Sequence, residues 1–218
     1  MNQPLLCVCR RRLVTPPLLP RPTPCASWDL ETLLDHFSGS IGVLGEAIAA
    51  AGISPGPAQG FGGPGRNPVG RLRGQAVRLQ GTRAAGGPAG RRVAIGDRGL
   101  TASMVAVTGA IEITVHGWDI FAACGAARPV PPDLAAVLLP IPPLLITPAT
   151  RPGLFAGPIR LPGPAGPGDK LIAFLGRHPR PQAAPGPPPP KPGTWLSPAR
   201  RFRRIRLVYI SRPPNERR

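Results

Sequence analysis

Apolar residues recur along residues 28–51 at three- and four-residue steps: Leu30, Leu33, Leu34, Phe37, Ile41, Leu44 and Ile48. That spacing predicts an amphipathic helix with one apolar stripe. Ser27 can cap its start, Asp29 and Glu31 suit its positive end, and Gly52 follows its end. A second helix is predicted over 100–124, with Met104, Val107, Ile111, Val115 and Trp118 in one stripe and Gly125 as its stop. A shorter helix is expected over 132–140, opened by Pro131 and Pro132 and ended by Pro140. Phe155–Leu161 (FAGPIRL) reads as a short extended piece, and residues 168–177 (GDKLIAFLGR) as a last short helix.

Between these elements the pattern fades. Residues 52–92 are dominated by Gly, Pro, Arg and Ala, with no sustained period, and are expected to be loop or disorder. Residues 1–22 end in TPPLLPRP, where proline removes donors and clashes with the preceding turn. After residue 180, PQAAPGPPPPKPG has the composition of a polyproline linker, and a basic tail follows it to residue 218. The 218 residues include 28 Gly and 34 Pro, 62 together, a share at which parts of a chain stop packing. The expected organisation is a helical domain over 23–179, interrupted by low-complexity 52–92, with an irregular segment at 1–22 and a disordered tail at 180–218.

The formal charge is +17. Its distribution decides its meaning. Residues 1–22 carry four Arg and no acid, and residues 52–92 carry seven Arg and no acid. Residues 177–218 carry ten Arg, one Lys and one Glu. The basic excess therefore lies in the Gly/Pro-rich pieces. RRFRRIR, with Trp195, Phe202 and Tyr209 nearby, is a weak version of a nucleic-acid or anionic-surface patch, and a solvated tail has the same composition. Cys7, Cys9, Cys25 and Cys124 form no paired framework and no zinc-ribbon spacing. A reducing cytoplasm is the expected compartment. MNQPLLCVCRRR lacks the layout of a secretory signal. The longest apolar run, Leu134–Ile146, contains three prolines and is too short to span a bilayer.

Candidate chemistry sits in the second predicted helix, IEITVHGWDIFAACG. Glu112 and His116 are one turn apart on one face, and Asp119 continues the row. His36 lies at the edge of the first helix's stripe. If the two helices pack side by side, two imidazoles and a carboxylate converge into a three-ligand site with open positions, the pattern of catalytic zinc or iron. Asp119 is then a fourth ligand or a partner that orients an imidazole. The same spacing also suits an ordinary hydrogen-bonded pair on a helix surface.

PTPCASWDLETLLDH, ending at His36, resembles the opening signature of the mycothiol-dependent maleylpyruvate isomerase-like metal-binding proteins, within the DinB-like group of actinobacterial helical bundles. LTASMVAVTGAIEITVHGWDIFAACG is similar to that family's second signature, with its E-x-x-x-H-G-W-D motif. The run from Arg151 to Pro179, containing GR-x-P, resembles its C-terminal part. The resemblance covers about 23–51 and 93–179, a little over half the chain. It implies a mainly α, up-and-down four-helix bundle, with a divalent metal, zinc foremost, held by His36, Glu112 and His116 and supported by Asp119. It also implies a low-molecular-weight thiol, mycothiol, and an isomerase or S-transferase acting on an electrophilic substrate. No residue is assigned to thiol recognition or proton transfer.

The family places helices where this chain has 1–22 and 52–92, and only two strong apolar faces are visible. Arg-, Pro-, Gly- and Ala-rich sequence is what a GC-rich gene yields out of frame. Frame errors or degeneration in 52–92, in the tail and in 1–22 are therefore a hypothesis, with a non-functional remnant as its extreme form. Translating the coding DNA in all three frames tests it.

Overall fold

The computed structural model describes residues 13–25, 28–49, 52–53, 67–84, 92–95, 98–152 and 155–179. Ser27, the tail 180–218 with its basic patch, and much of 1–22 and 52–92 lie outside the described residues. The fold is a DinB-like helical bundle. Its long helices are α1 (Leu30–Ala49), α2 (Pro68–Ala84) and α3 (Ala102–Ala123). Three shorter ones complete it: α4 (Pro132–Leu138), α5 (Pro142–Leu145) and α6 (Pro167–Phe174). A small sheet has the order β1 (Gly52–Ile53), β2 (Arg92–Ile95), β3 (Arg98–Thr101), parallel in the first pair and antiparallel in the second.

α1 forms where its stripe predicts. Its first turn is capped by Asp29, whose Oδ1 accepts from the Thr32 N–H at 2.8 Å. α1 packs against both α2 and α3. Leu30, Leu33, Leu34, Phe37, Ile41, Leu44 and Ala47 form the spine of the first core. Leu13, Val14, Leu18 and Leu19, around a 3-10 turn at Pro16–Leu18, close it from the N-terminal side.

α2 corrects the expectation of a loop through 52–92. Leu72, Ala76 and Leu79 recur at helical spacing and are buried against α1. Gly70, Gly74 and Gly81 dilute that signal, because each removes a side chain from the pattern and costs about 1 kcal/mol of helix propensity. Burial of the leucines overrides it. Arg71 adds an ion pair to Asp35 of α1. A frame error is not required to explain 68–84, since the segment carries the apolar face a bundle helix needs.

α3 is apolar nearly all round, as a helix buried between two layers must be. Val105, Ile120 and Phe121 face the first core. Ile111, Val115 and Trp118 face a second one, built with Val130, Ala135, Leu138, Ile146, Leu171, Ile172 and Leu175. Met104, the first residue of the predicted stripe, is 48% exposed and belongs to neither core. Thr101 caps α3 by accepting from the Met104 N–H. Gly125, at φ 71°, ends it: its N–H donates to the Ala122 carbonyl and that of Ala126 to the Phe121 carbonyl. Phe155–Leu161 joins no strand; the Ile159 N–H donates to the Ala173 carbonyl beside the end of α6. Among the described residues, no helix is long and apolar enough to cross a membrane.

Two glycines set the distances between helices near Glu112 and Asp119. A Cβ on Gly109 would collide with the Leu44 side chain, so its absence lets α1 and α3 approach one turn from Glu112. Gly176, at φ 82°, ends α6 in a left-handed turn and sends the chain back toward α3. A Cβ there would also meet the Ala156 carbonyl oxygen at 2.7 Å.

Candidate metal centre

The close approach of α1 and α3 brings His36, Glu112 and His116 together. Glu112 Oε2 lies 3.1 Å from His116 Nε2 and 3.9 Å from His36 Nε2. One donor atom from each of the three side chains falls within a 4.8 Å cluster. Oε2 is fully buried and has no aligned hydrogen-bond donor, although both imidazoles lie within ion-pair range. A buried carboxylate oxygen that faces two imidazole nitrogens without an aligned hydrogen bond is what a cation site offers and what a surface hydrogen-bonded pair does not. The donor set, two imidazoles and a carboxylate with open positions, suits zinc or iron. The residues present therefore fit a divalent metal.

Asp119 does not point into that cluster. It is fully buried, and its Oδ2 lies 3.2 Å from His116 Nδ1. An N–H at Nδ1 donating to this carboxylate fixes the ring so that Nε2, the nitrogen whose proton a cation would displace, faces Glu112. Arg177, 5% exposed, neutralises Asp119. Its Nε donates to Oδ1 at 3.0 Å, one terminal nitrogen donates to Oδ2 at 2.9 Å, and the other donates to the Leu175 carbonyl at 2.8 Å. This placement depends on the Gly176 turn.

The aromatic surroundings come from the first signature and the residue that follows it. Trp28 lies 4.5 Å from the His36 ring and 6.3 Å from the His116 ring, centroid to centroid. Phe37 packs edge-on at 6.0 Å from His116. A tight turn fixes Trp28: its carbonyl accepts from the Thr23 N–H and hydroxyl, and its N–H donates to the Cys25 carbonyl. The turn also carries Cys25, whose Sγ clusters with His116 and Asp119 within 4.8 Å.

The electrostatics arise from this packing. Burial opposes ionisation of Glu112, but the two imidazoles prevail and hold its carboxyl far below the usual range. Burial likewise opposes charge on Asp119, yet Arg177 and His116 hold it low. Burial disfavours an imidazolium at His116, but Asp119 and Glu112 raise its pKa to about 9. Burial pushes the Cys25 thiol up to about 11 against the pull of Arg177, so it stays protonated and unreactive at neutral pH.

Of the four sequence candidates, the structure brings His36, Glu112 and His116 together and leaves Asp119 beside His116, outside that cluster. The sequence pattern missed Arg177, Trp28 and Cys25 as neighbours of the site. For Arg177 the available signal was a lone Arg just after an apolar helix, within the GR-x-P run. For the other two it was their place within the first signature.

A helical bundle with two imidazoles and a carboxylate between its first and third long helices has the architecture of a DinB-like protein. The chain belongs to the family described as the mycothiol maleylpyruvate isomerase N-terminal domain, whose model matches residues 10–121. It is also similar to two uncharacterized proteins of Mycobacterium tuberculosis, one from strain CDC 1551 / Oshkosh and one from strain ATCC 25618 / H37Rv. Each is 30% identical over 169 residues, covering 72% of this chain and 83% of theirs. No solved structure matches the chain.

Proposed function

We propose that the chain binds a divalent metal ion, zinc in first preference and iron in second, through His36, Glu112 and His116. The bound ion serves a thiol-dependent isomerase or S-transferase, with mycothiol as the thiol. The observation that carries this reading is the buried Glu112 Oε2, which faces two imidazole nitrogens without an aligned donor. A divalent ion there lowers the pKa of a thiol, so that thiolate is available at neutral pH for reversible addition to an electrophile.

The chain's own residues supply the setting. Asp119 holds the His116 ring and its tautomer. Arg177 keeps the Asp119 charge balanced inside the core. Trp28 and Phe37 shield the imidazoles from bulk water. A reducing cytoplasm, where a small thiol persists, is the matching compartment.

Elemental analysis tests the reading. The wild-type protein is expected to carry a stoichiometric divalent metal, and Glu112→Gln and His116→Ala variants to lose it while keeping their helical circular dichroism. A wild-type protein that remains metal-free after reconstitution would overturn the proposal.

A further inference from the structure

Arg177 reaches the candidate centre from a place 58 residues further along the chain than Asp119. Its guanidinium is bound on both sides. One terminal nitrogen donates to the Leu175 carbonyl at 2.8 Å, while the other terminal nitrogen and Nε donate to the two oxygens of Asp119. The same group lies within hydrogen-bonding reach of the Cys25 thiol. The backbone is held as well: the Arg177 N–H donates to the Ile172 carbonyl at 3.1 Å, and that of Gly176 to the Ala173 carbonyl at 3.0 Å. One buried side chain thus joins the end of α6, the helix α3 and the turn that carries Trp28.

The forked contact on Asp119 has a consequence for His116. A carboxylate left to itself turns easily, because its terminal torsion is broad. A guanidinium that engages both oxygens fixes the carboxylate plane. Oδ2 is then held 3.2 Å from His116 Nδ1, and the opposite ring nitrogen, Nε2, is held 3.1 Å from Glu112 Oε2. The imidazole cannot turn without breaking this line of contacts. Arg177, Asp119 and His116 are all buried, so bulk water does not compete for their partners.

We infer that Arg177 is a positioning residue of the metal centre: through Asp119 it fixes the His116 ring in the orientation that presents Nε2 to a cation, so that docking of α6 on α3 and metal binding reinforce each other. This role presupposes the metal-site reading above and adds to it a control point outside the two helices that carry the ligands. Geometry carries it more than charge does. A lysine would supply the same charge as a single point and leave the carboxylate free to turn.

The test titrates zinc against a chromogenic chelator in the full chain. Wild type, Arg177→Met, Arg177→Lys and Leu72→Ala are compared at a temperature where circular dichroism shows them folded. Leu72 lies in the first core, between α2 and α1, so its truncation lowers stability without touching the line of contacts. Both Arg177 variants should bind zinc about tenfold more weakly, the lower end of what losing a partner behind a metal-bound histidine costs. Leu72→Ala should match wild type. Wild-type affinity in Arg177→Lys would overturn the inference, since charge alone would then suffice. So would an affinity loss in Leu72→Ala equal to that of the Arg177 variants, because affinity would then follow stability. If the Arg177 variants do not fold, amide hydrogen exchange of the wild type decides. Zinc should slow exchange more at Gly176 and Arg177 than along α2, because coupling between docking and binding acts in both directions; equal slowing would overturn the inference. A wild type that binds no zinc is a different result: it sinks the metal reading, and this role with it.

Discussion

The Asp119–Arg177 pair ties the last described helix to the candidate centre, and its removal has a calculable cost. Asp119 is 0% exposed and Arg177 is 5% exposed. Three guanidinium–carboxylate contacts of 2.9–3.3 Å join them. Arg177→Met keeps most of the side-chain volume but leaves a carboxylate in the core with His116 as its remaining polar partner. Breaking a buried pair in this way costs about 3–5 kcal/mol. At the lower figure the melting temperature falls by about 6–12 °C for a chain of this size. Asp119→Asn leaves the guanidinium unbalanced and should cost a similar amount. The double variant removes both charges and should lie closer to wild type than the sum of the two, with a coupling of about 1.5 kcal/mol or more. Urea denaturation monitored by far-ultraviolet circular dichroism at pH 7 reads all four corners of the cycle. Single variants that each lose less than about 1 kcal/mol, and add without coupling, would mean that the pair is solvated. The account of how Asp119 is held would then be wrong.

Two further outcomes are expected. Leu72 is fully buried between α2 and α1, so Leu72→Ala should destabilise by about 2–5 kcal/mol in the same assay; an unchanged midpoint would return 68–84 to the status of a loop. In the metal-free protein, His116 has a pKa raised from 6.5 to about 9. A raised folded-state value stabilises fully below the unfolded one, so its contribution should be complete below pH 6.5 and drain away up to about pH 9. The same proton competes with a metal ion for Nε2, so the stability gained on adding zinc should grow across that window. A zinc increment that shrinks there would contradict the proposed ligand set.

How far the fold could be read varied by segment. α1 was legible because its apolar residues recur without interruption and one face alone is buried. α3 was legible as a helix, but its two-sided burial was not. A continuous apolar run does not say which face meets which neighbour, and Met104 at the head of the expected stripe is largely exposed. α2 was misread because Gly and Arg occupy the positions around Leu72, Ala76 and Leu79. Three apolar residues make a helix only when another surface stands ready to cover them. Asp119 was legible as part of a row but not in its role. Its spacing from His116 allows either a ligand or an orienting partner, and only the structure shows that Arg177, distant in sequence, engages both of its oxygens.

By itself, the sequence determined the existence of two amphipathic or apolar helices, the presence of Glu112, His116 and Asp119 in one row on the second, and the place of His36 on the first. Those are local properties, set by the 3.6-residue period. The tertiary structure alone decided that His36 reaches Glu112, that Trp28 and Cys25 fold back over the imidazoles, and that Arg177 returns to balance Asp119. The first approach is permitted by the missing side chain at Gly109, the second is fixed by the turn that joins Thr23 to Trp28, and the third follows the left-handed turn at Gly176. Distances across a core come from packing many side chains at once, and no spacing along the chain encodes them.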